Sequence, residues 1–200
     1  MNDLFNFIKI NSKELTNDYS IKLSLGKFTD KSRNILDIAF TPEMIKQFLG
    51  KINCTELTYT VVKQKIYYHK YLEYCIQSDS NDITNLYNNH IKIDNISLGK
   101  LDVRAKLIHT NILPIHLFPN LFTYDKTVSQ SNIILNYKNL FKILIIREKT
   151  EPQNKDTLSD IDSNIETINR IEIILNYQNL KTNILLENLE IVLLNLQDLR

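Results

Sequence analysis

Strict alternation marks the most regular stretch of the chain. Tyr19, Ile21, Leu23 and Leu25 fall on one face of a strand, and Ser20, Lys22 and Ser24 fall on the other. Gly26 ends that run, a charged turn spans 27–33, and a second alternating piece covers 34–40. Thr41-Pro42-Glu43 then reads as a helix start: a hydroxyl N-cap, a proline in the first turn, and an acid beside the positive end of the helix dipole. Ile45, Phe48, Leu49 and Ile52 follow at helical spacing and predict an amphipathic helix over 42–52.

The other segments continue in the same two modes. Residues 3–10 predict a short amphipathic helix capped by Asn2 or Asp3, with a polar lead-in at 13–17. Residues 56–76, rich in Thr, Val, Ile and Tyr, suit a pleated surface and read as extended, with a bend at 63–65. Residues 77–89 are turn-rich. Two strands follow at 91–96 and 100–108, joined at 97–99. In the second, Leu101, Val103, Ala105 and Leu107 face one way, and Asp102, Arg104 and Lys106 the other. Residues 111–119 hold two prolines and are excluded from a central strand. Residues 122–131 and 133–135 are extended, Asn136 to Asn139 make a turn, and 141–147 form the most apolar strand. Residues 150–164 are acidic and lack aromatics, so they read as a mobile loop. A strand over 170–177 precedes the strongest helix, 180–199, with apolar residues at 185, 186, 189, 192, 193 and 196. Ile191, Leu194 and Leu199 widen that stripe, so the helix is either deeply buried or shared with a partner.

These elements predict an α+β fold of about eight antiparallel strands with flanking helices, in one domain spanning 1–200. Within it, 1–18 is the first helix and lead-in, 150–166 the acidic loop and 180–200 the last helix. Strands with one apolar and one charge-bearing face fit two arrangements. In an open sandwich the charged face is simply solvated. In a closed eight-stranded barrel the apolar face packs outwards under the helices and the charged face lines a wet interior.

Composition narrows the class without naming a chemistry. At 43% hydrophobic and 24% charged residues the chain is a folded globular protein. Ile, Asn and Lys, whose codons are A/T-rich, are heavily used, so the Asn clusters reflect base composition before they reflect chemistry. A net charge of +1 exerts no global pull towards nucleic acid or membrane, and any anion site must be a local patch. Cys54 and Cys75 lack C-x-x-C spacing and read as free thiols of a reducing compartment. No apolar run reaches the roughly 20 residues of a spanning helix, and Met1 to Ile10 has neither a basic n-region nor a cleavage site. No membrane association and a cytoplasmic location are expected.

The order of elements resembles the triphosphate tunnel metalloenzyme family, and specifically the metal-dependent RNA 5′-triphosphatases of mRNA-capping enzymes in large DNA viruses. YSIKLSLGKF followed by TPEMIKQFL is laid out like that family's first strand and proline-capped helix. LDVRAKL is similar to its strand with an Asp-Ile-Arg core. KTVSQSNIILNYKNLFKILIIREKT (126–150) resembles its basic strand, turn and Asp-Leu-Thr strand, and RIEIIL its closing Glu-x-Glu strand. The resemblance spans roughly 15–180. It implies a closed tunnel in which carboxylates hold Mg²⁺ or Mn²⁺ while Arg and Lys clamp the phosphate oxygens.

The departures are as specific as the matches. Ser20 and Lys22 stand where the family has its first-strand glutamates, and Ser24 stands where it has arginine. Ile174 replaces the second closing glutamate and Leu144 the aspartate. The resemblance leaves Glu172 as the catalytic candidate and Arg104, Lys106, Lys126 and Lys22 as anion-binding candidates. It leaves no set of metal ligands, so no cofactor is expected, with Mg²⁺ or Mn²⁺ required only if the chain is active. Two functions follow: a catalytically degenerate binding or structural module of a capping apparatus, or an active polynucleotide 5′-triphosphatase. An unrelated antiparallel α+β protein is the third reading, and it would scatter Lys22, Arg104, Lys126 and Glu172. The implied partners are an RNA 5′-triphosphate or polyphosphate and, through the last helix, a guanylyltransferase or other capping subunit. The implied place is the cytoplasm, in a viral factory or virion.

Other constellations are weaker. His69, His90, His109 and His116 follow no H-x-x-x-H or H-x-E pattern, and Cys75 has no evident base partner. Tyr67, Tyr68, Tyr71 and Tyr74 suit cross-strand packing better than base stacking. Asp156, Asp160 and Asp162 suggest a calcium loop, but it has no glycine at the sharp turn and its twelfth-position glutamate is out of register.

Overall fold

The structure, a computed structural model, describes residues 1–14, 18–33, 36–37, 40–52, 56–69, 72–78, 83–112, 123–150, 167–175 and 182–199. Side chains at 14, at 56–57, within 60–87 and 112–129, and at 150 and 182 are outside the described set. In chain order the elements are α1 (Asn2–Asn11), β1 (Tyr19–Phe28), β2 (Leu36–Asp37), α2 (Pro42–Lys51), β3 (Glu56–His69), β4 (Leu72–Ser78), β5 (Ile83–Ser97), β6 (Asp102–Ile112), β7 (Thr123–Tyr137), β8 (Phe141–Thr150), β9 (Thr167–Leu175) and α3 (Thr182–Gln197).

Eight long strands form one antiparallel sheet, in the order β1-β6-β5-β4-β3-β7-β8-β9, and the two-residue β2 adds beside β1. Both sides of β1 are used. It pairs with β6 from Tyr19–His109 to Gly26–Asp102, and it meets β9 from Ile21–Leu175 to Ser24–Glu172. We call this shorter junction the seam.

Alternation along the strands sorts the side chains onto two faces. Ile21, Leu23, Leu25, Val103, Ala105, Leu107, Ile143, Ile145, Ile171, Ile173 and Leu175 are buried on one face. The three helices cover that face. From α1 come Leu4, Phe7 and Ile8, from α2 Phe48, and from α3 Leu185, Leu186, Leu189, Val192, Leu193 and Leu196, all in one core cluster. The expected stripe of α3 is therefore buried against its own sheet. The large apolar residues left on its outside are Ile184, Ile191 and Leu194, each about half exposed. Among the described residues no helix is long and apolar enough to cross a membrane.

Local chemistry explains most boundaries. Thr41 Oγ1 accepts from Met44 N–H at 3.2 Å and Pro42 occupies the first turn, as the sequence of α2 requires. The start of α1 differs from expectation: Met1 is the N-cap and no side chain caps it. The expected bend at 63–65 is absent, because Lys63-Gln64-Lys65 carries no turn chemistry and is laddered to both β4 and β7. β3 instead runs on to His69, which pairs with Leu72 at the start of β4. β5 likewise starts at Ile83, inside the segment read as turn-rich, where ladders on both sides override the low strand propensity of Asn. The β7–β8 turn is where the sequence puts it. Lys138 and Asn139 are both left-handed, and Tyr137 and Phe141 stack across the hairpin at 5.0 Å. Thr150 ends β8, and Asn111 and Ile112 end β6 in a ladder with β5, so the acidic loop and the proline segment begin later than expected. Residues 151–164 and 113–119 lie outside the described residues.

Two close approaches fix the far end of β1. A Cβ on Gly26 would sit 2.1 Å from the carbonyl oxygen of Asp37, so only glycine lets β2 lie against β1 there. Beside it, buried Asp102 accepts hydrogen bonds from Ser97 Oγ at 2.6 Å and Phe28 N–H at 2.8 Å, with Lys27 Nζ at 3.4 Å. Burial raises the Asp102 carboxyl, but the bonds from Ser97 and Phe28 and the charge of Lys27 outweigh it. Its pKa lies below the usual aspartate value.

Gly26→Ala should cost roughly 1–3 kcal/mol, the usual penalty of overpacking, and lower the melting temperature by several degrees. An unchanged melt would mean that β2 does not need this contact. A carboxyl with a depressed folded pKa adds stability above the unfolded value, about 3.9, and loses it as pH falls towards the folded one. The stability gap between wild type and Asp102→Asn should therefore hold steady from pH 7 to about 5 and shrink at lower pH. A gap independent of pH would show that the charge of Asp102 does not hold this junction.

Candidate polyanion-binding face

The face opposite the helices carries the charged side chains of β6, β1, β9 and β8. Cross-strand register sets them in rows. Lys106, Lys22, Ile174 and Lys142 stand side by side across those four strands. The next row holds Arg104, Ser24, Glu172 and Leu144. Arg170 lies two residues along β9 from Glu172, opposite Ile146, and Glu148 follows on β8.

A chain of polar contacts ties these rows together. Lys22 Nζ lies 2.9 Å from Glu172 Oε2, across the seam. Arg170 lies between the two glutamates, 3.0 Å through Nη1 from Glu148 Oε2 and 3.6 Å through Nε from Glu172 Oε1. Gln130 on β7 donates to Glu148 Oε2 at 3.0 Å. The contacts thus run from β1 through β9 and β8 to β7. Both carboxylates are almost wholly buried, with Glu148 3% and Glu172 4% exposed. A buried carboxylate is retained only when paired and hydrogen-bonded, and here each has a cation from the chain itself. Nearby Asn132 Oδ1 is buried with no hydrogen-bond partner.

Arg104 is held in place by its neighbours. Its Nε donates to Asn95 Oδ1 at 2.9 Å, Nη2 to Arg33 O at 3.3 Å, and the guanidinium lies 5.8 Å from the Phe28 ring. Arg33 is left-handed, and Asn95 Nδ2 donates to its carbonyl at 2.9 Å, so the loop after β1 folds back onto β5 and β6. Burial lowers the pKa of Arg104, against the opposing charge of Asp30, and a guanidinium remains protonated.

Four of the residues singled out from the sequence, Lys22, Arg104, Lys106 and Glu172, share two neighbouring rows of one face. Lys126 is not among them. It pairs with Ile66 and stands ten residues along β7 from Asn136, the β7 residue of the Lys22 row. Its side chain is outside the described residues. Arg170, Glu148, Gln130 and Lys142 were missed, although strand parity carried the signal: Arg170 is two residues from Glu172, and Lys142 and Glu148 share the parity of Leu144. His109 stacks on Tyr19 at 4.4 Å with Asn111 Nδ2 3.4 Å from its Nδ1, away from the charged rows. Cys54, Tyr71, His116, Asp156, Asp160 and Asp162 lie outside the described residues, as do the side chains of Tyr67, Tyr68, His69, Tyr74 and Cys75.

The donor set of the described residues does not fit Mg²⁺ or Mn²⁺. A hard divalent ion takes several oxygen ligands at about 2.0–2.6 Å, and among the described residues no group of three or more His, Cys, Asp or Glu could supply them. The two glutamates already face Lys22 and Arg170. An ion at Glu172 would have to displace the ammonium across the seam.

No family model matches the sequence, and no curated protein does. The fold, by contrast, has counterparts among solved structures. The Mimivirus capping enzyme triphosphatase aligns with a TM-score of 0.66 at 10% identity over 98% of each chain. The Pct1 RNA triphosphatase of S. pombe aligns at 0.61 and 11% identity, over 100% of this chain and 91% of that one. Pct1 is also known in complex with the Spt5 CTD. A chain of the S. pombe Mediator head module aligns at 0.53 and 7% identity, over 90% of this chain and 94% of that one. At such identities the likeness is one of fold: the antiparallel eight-stranded sheet and its helices match the architecture of tunnel-fold RNA triphosphatases.

Arg170→Met takes from buried Glu148 the cation at 3.0 Å, while Glu172 keeps Lys22, and should cost about 3–5 kcal/mol, the range for breaking a buried ion pair. Lys22→Met should cost less, because the Lys22 side chain is 26% exposed and Glu172 keeps Arg170. Urea melts of the two variants check this, and a near-neutral Arg170→Met would show that the contacts do not act as one network.

Proposed function

We propose that this chain is a viral-type RNA 5′-triphosphatase-like domain that has kept the tunnel fold and an anion-attracting face but does not hydrolyse triphosphate, and that it serves a capping apparatus as a binding or structural module. The observation that carries this reading is the 2.9 Å contact between Lys22 Nζ and Glu172 Oε2. It puts a fixed ammonium beside the carboxylate that an active site would need for a metal ion. An ammonium supplies charge and hydrogen bonds. It supplies neither the open coordination positions nor the lowered water pKa through which a divalent ion hydrolyses phosphate.

The sheet is read here as a closed tunnel, because β1 has β6 on one side and β9 on the other and the charged rows lie opposite the helices. Inside such a tunnel Lys106 and Lys22 are directly opposed. Like charges in that relation are unfavourable alone and favourable around a polyanion. An RNA 5′-triphosphate or polyphosphate is the ligand of this reading, with Lys22, Lys106 and Arg104 on its path. Lys126, from the resemblance, is a further proposed contact.

A capping-related partner belongs to the same proposal. Pct1 is known with the Spt5 CTD, and the Mediator head module is an assembly that contains the fold, so both support a role in association. The outer ridge of α3, Ile184, Ile191 and Leu194, is the part of that helix open to a guanylyltransferase or other capping subunit. We place the protein in the cytoplasm, in a viral factory or virion.

Incubated with triphosphate-ended RNA and Mn²⁺, the protein should release no inorganic phosphate above the protein-free baseline. Release that disappears in Glu172→Ala would replace this reading with that of an active metal-dependent polynucleotide 5′-triphosphatase.

A further inference from the structure

We propose that the helix side of the sheet holds a second, separate site: a pocket for a small apolar carboxylic acid. It lies across the sheet from the charged rows and does not depend on the reading above. Among the described residues, β3, β7, β8 and β9 form its floor and the start of α2 one wall, around a cavity of about 600 Å³. That size is ordinary for a small-molecule site.

Register gives the pocket a direction. One floor row is apolar, with Tyr59, Ile133 and Ile145 side by side on β3, β7 and β8. The next row is polar, with Ser131, Arg147 and Asn169 on β7, β8 and β9. On the other side of the apolar row, Leu135 and Ile143 are already in the core, so the pocket begins where the helix cover stops. Pro42 and Ile45 of α2 supply the wall. Hydrogen bonds tie the lead-in of α2 to the floor: Phe40 N–H donates to Asn169 O at 2.8 Å, and Asn169 Nδ2 donates back to Phe40 O at 3.1 Å. A pocket fixed in this way needs little ordering before it binds.

The polar end selects the ligand. Among the described residues Arg147 has neither a hydrogen bond nor an ion pair, and no acid lines the cavity. A neutral apolar occupant would strip water from the guanidinium without replacing it. A carboxylate at that end accepts two parallel hydrogen bonds from the planar fork, while its apolar body covers Ile133 and Ile145. The exposed ring of Tyr59 extends the apolar surface beside Ile133. A bare phosphate lacks the body, and an alcohol lacks the charge.

Decanoate titrated calorimetrically into the whole chain, below the concentration at which it forms micelles, tests this. The expected result is saturable binding at one site, weakening by up to about fourfold for each methylene removed from the acid, the weight of one buried methylene. Decanol, of the same length and uncharged, should bind about tenfold more weakly, the weight of a charge-assisted hydrogen bond. Arg147 is exposed, so Arg147→Gln should melt with the wild type, lose affinity for decanoate and bind decanol unchanged. Absence of saturable decanoate binding would overturn the inference. Equal binding of decanol, or undiminished decanoate binding by Arg147→Gln, would do the same. Displacement of decanoate by inorganic tripolyphosphate would put the acid on the charged face, which overturns the second site and leaves the anion-binding reading standing.

Discussion

Two glutamates buried on one face of a sheet must each meet a positive charge, and how that demand is met decides what else the face can hold. An isolated carboxylate buried to this degree would be protonated or exposed rather than retained. Here Arg170 lies between Glu148 and Glu172, and Lys22 closes the set from the other side of the seam. The arrangement is also mechanical. Its contacts cross β1, β9, β8 and β7 in turn, on the side of the sheet where β1 and β9 share the short pairing from Ile21 to Ser24. Charge balance and strand association are therefore one feature, so the chemistry of the face changes only within the limits that association sets.

Alternation is what lets the two faces of the sheet differ so completely. Ile21, Leu23 and Leu25 fix β1 to the helices, while Ser20, Lys22 and Ser24 between them are free of that duty. Replacing a carboxylate by a lysine at the even positions leaves the odd positions, and hence the apolar core, untouched. This accounts for a fold that matches the Mimivirus triphosphatase along its length while sharing 10% of its residues. Packing against helices needs only apolar side chains of suitable size, whereas the polar face needs specific groups at specific rows. The first requirement is met by many sequences. The second is where this chain has its own solution.

The same asymmetry governs what could be read in advance. The strands with clean alternation, β1, β6, β8 and β9, were legible to within a few residues, and the proline-started α2 and the NYKN turn were legible from turn and cap chemistry. The extended character of 56–76 was legible too, but not the unbroken run of β3 through 63–65 nor the start of β5 at Ile83, because Lys, Gln and Asn there have a weak preference for strands that ladders on both sides override. At the site, Lys22, Arg104, Lys106 and Glu172 could be placed on one face by parity. The partner of Glu172 could not, since cross-strand register decides it and no single strand contains it. Arg170 was passed over for a related reason: a motif read as Glu-x-Glu directs attention to the residue after Glu172, Ile174, and not to the cation before it. The spacing of α3 picked out its buried residues, 185, 186, 189, 192, 193 and 196, but could not say whether Ile191 and Leu194, which widen that stripe, would be covered; they are half exposed.

A lysine and a divalent ion are unequal replacements, and the difference bears on turnover more than on affinity. Either can sit beside Glu172 and attract phosphate oxygens, since both do so through charge. The divalent ion does more by binding water and phosphate together in adjacent coordination positions and lowering the pKa of that water. An ammonium carries one charge and three short donors, with no second position for a nucleophile. If the gain from Lys22 lies in ground-state binding, the same interaction holds substrate and transition state alike, and uniform binding of that kind does not speed the chemical step. On the proposed reading, a face whose buried carboxylates are answered by its own lysine and arginine would hold a polyanion without turning it over, and the contacts that retain Glu148 and Glu172 in the interior serve the sheet.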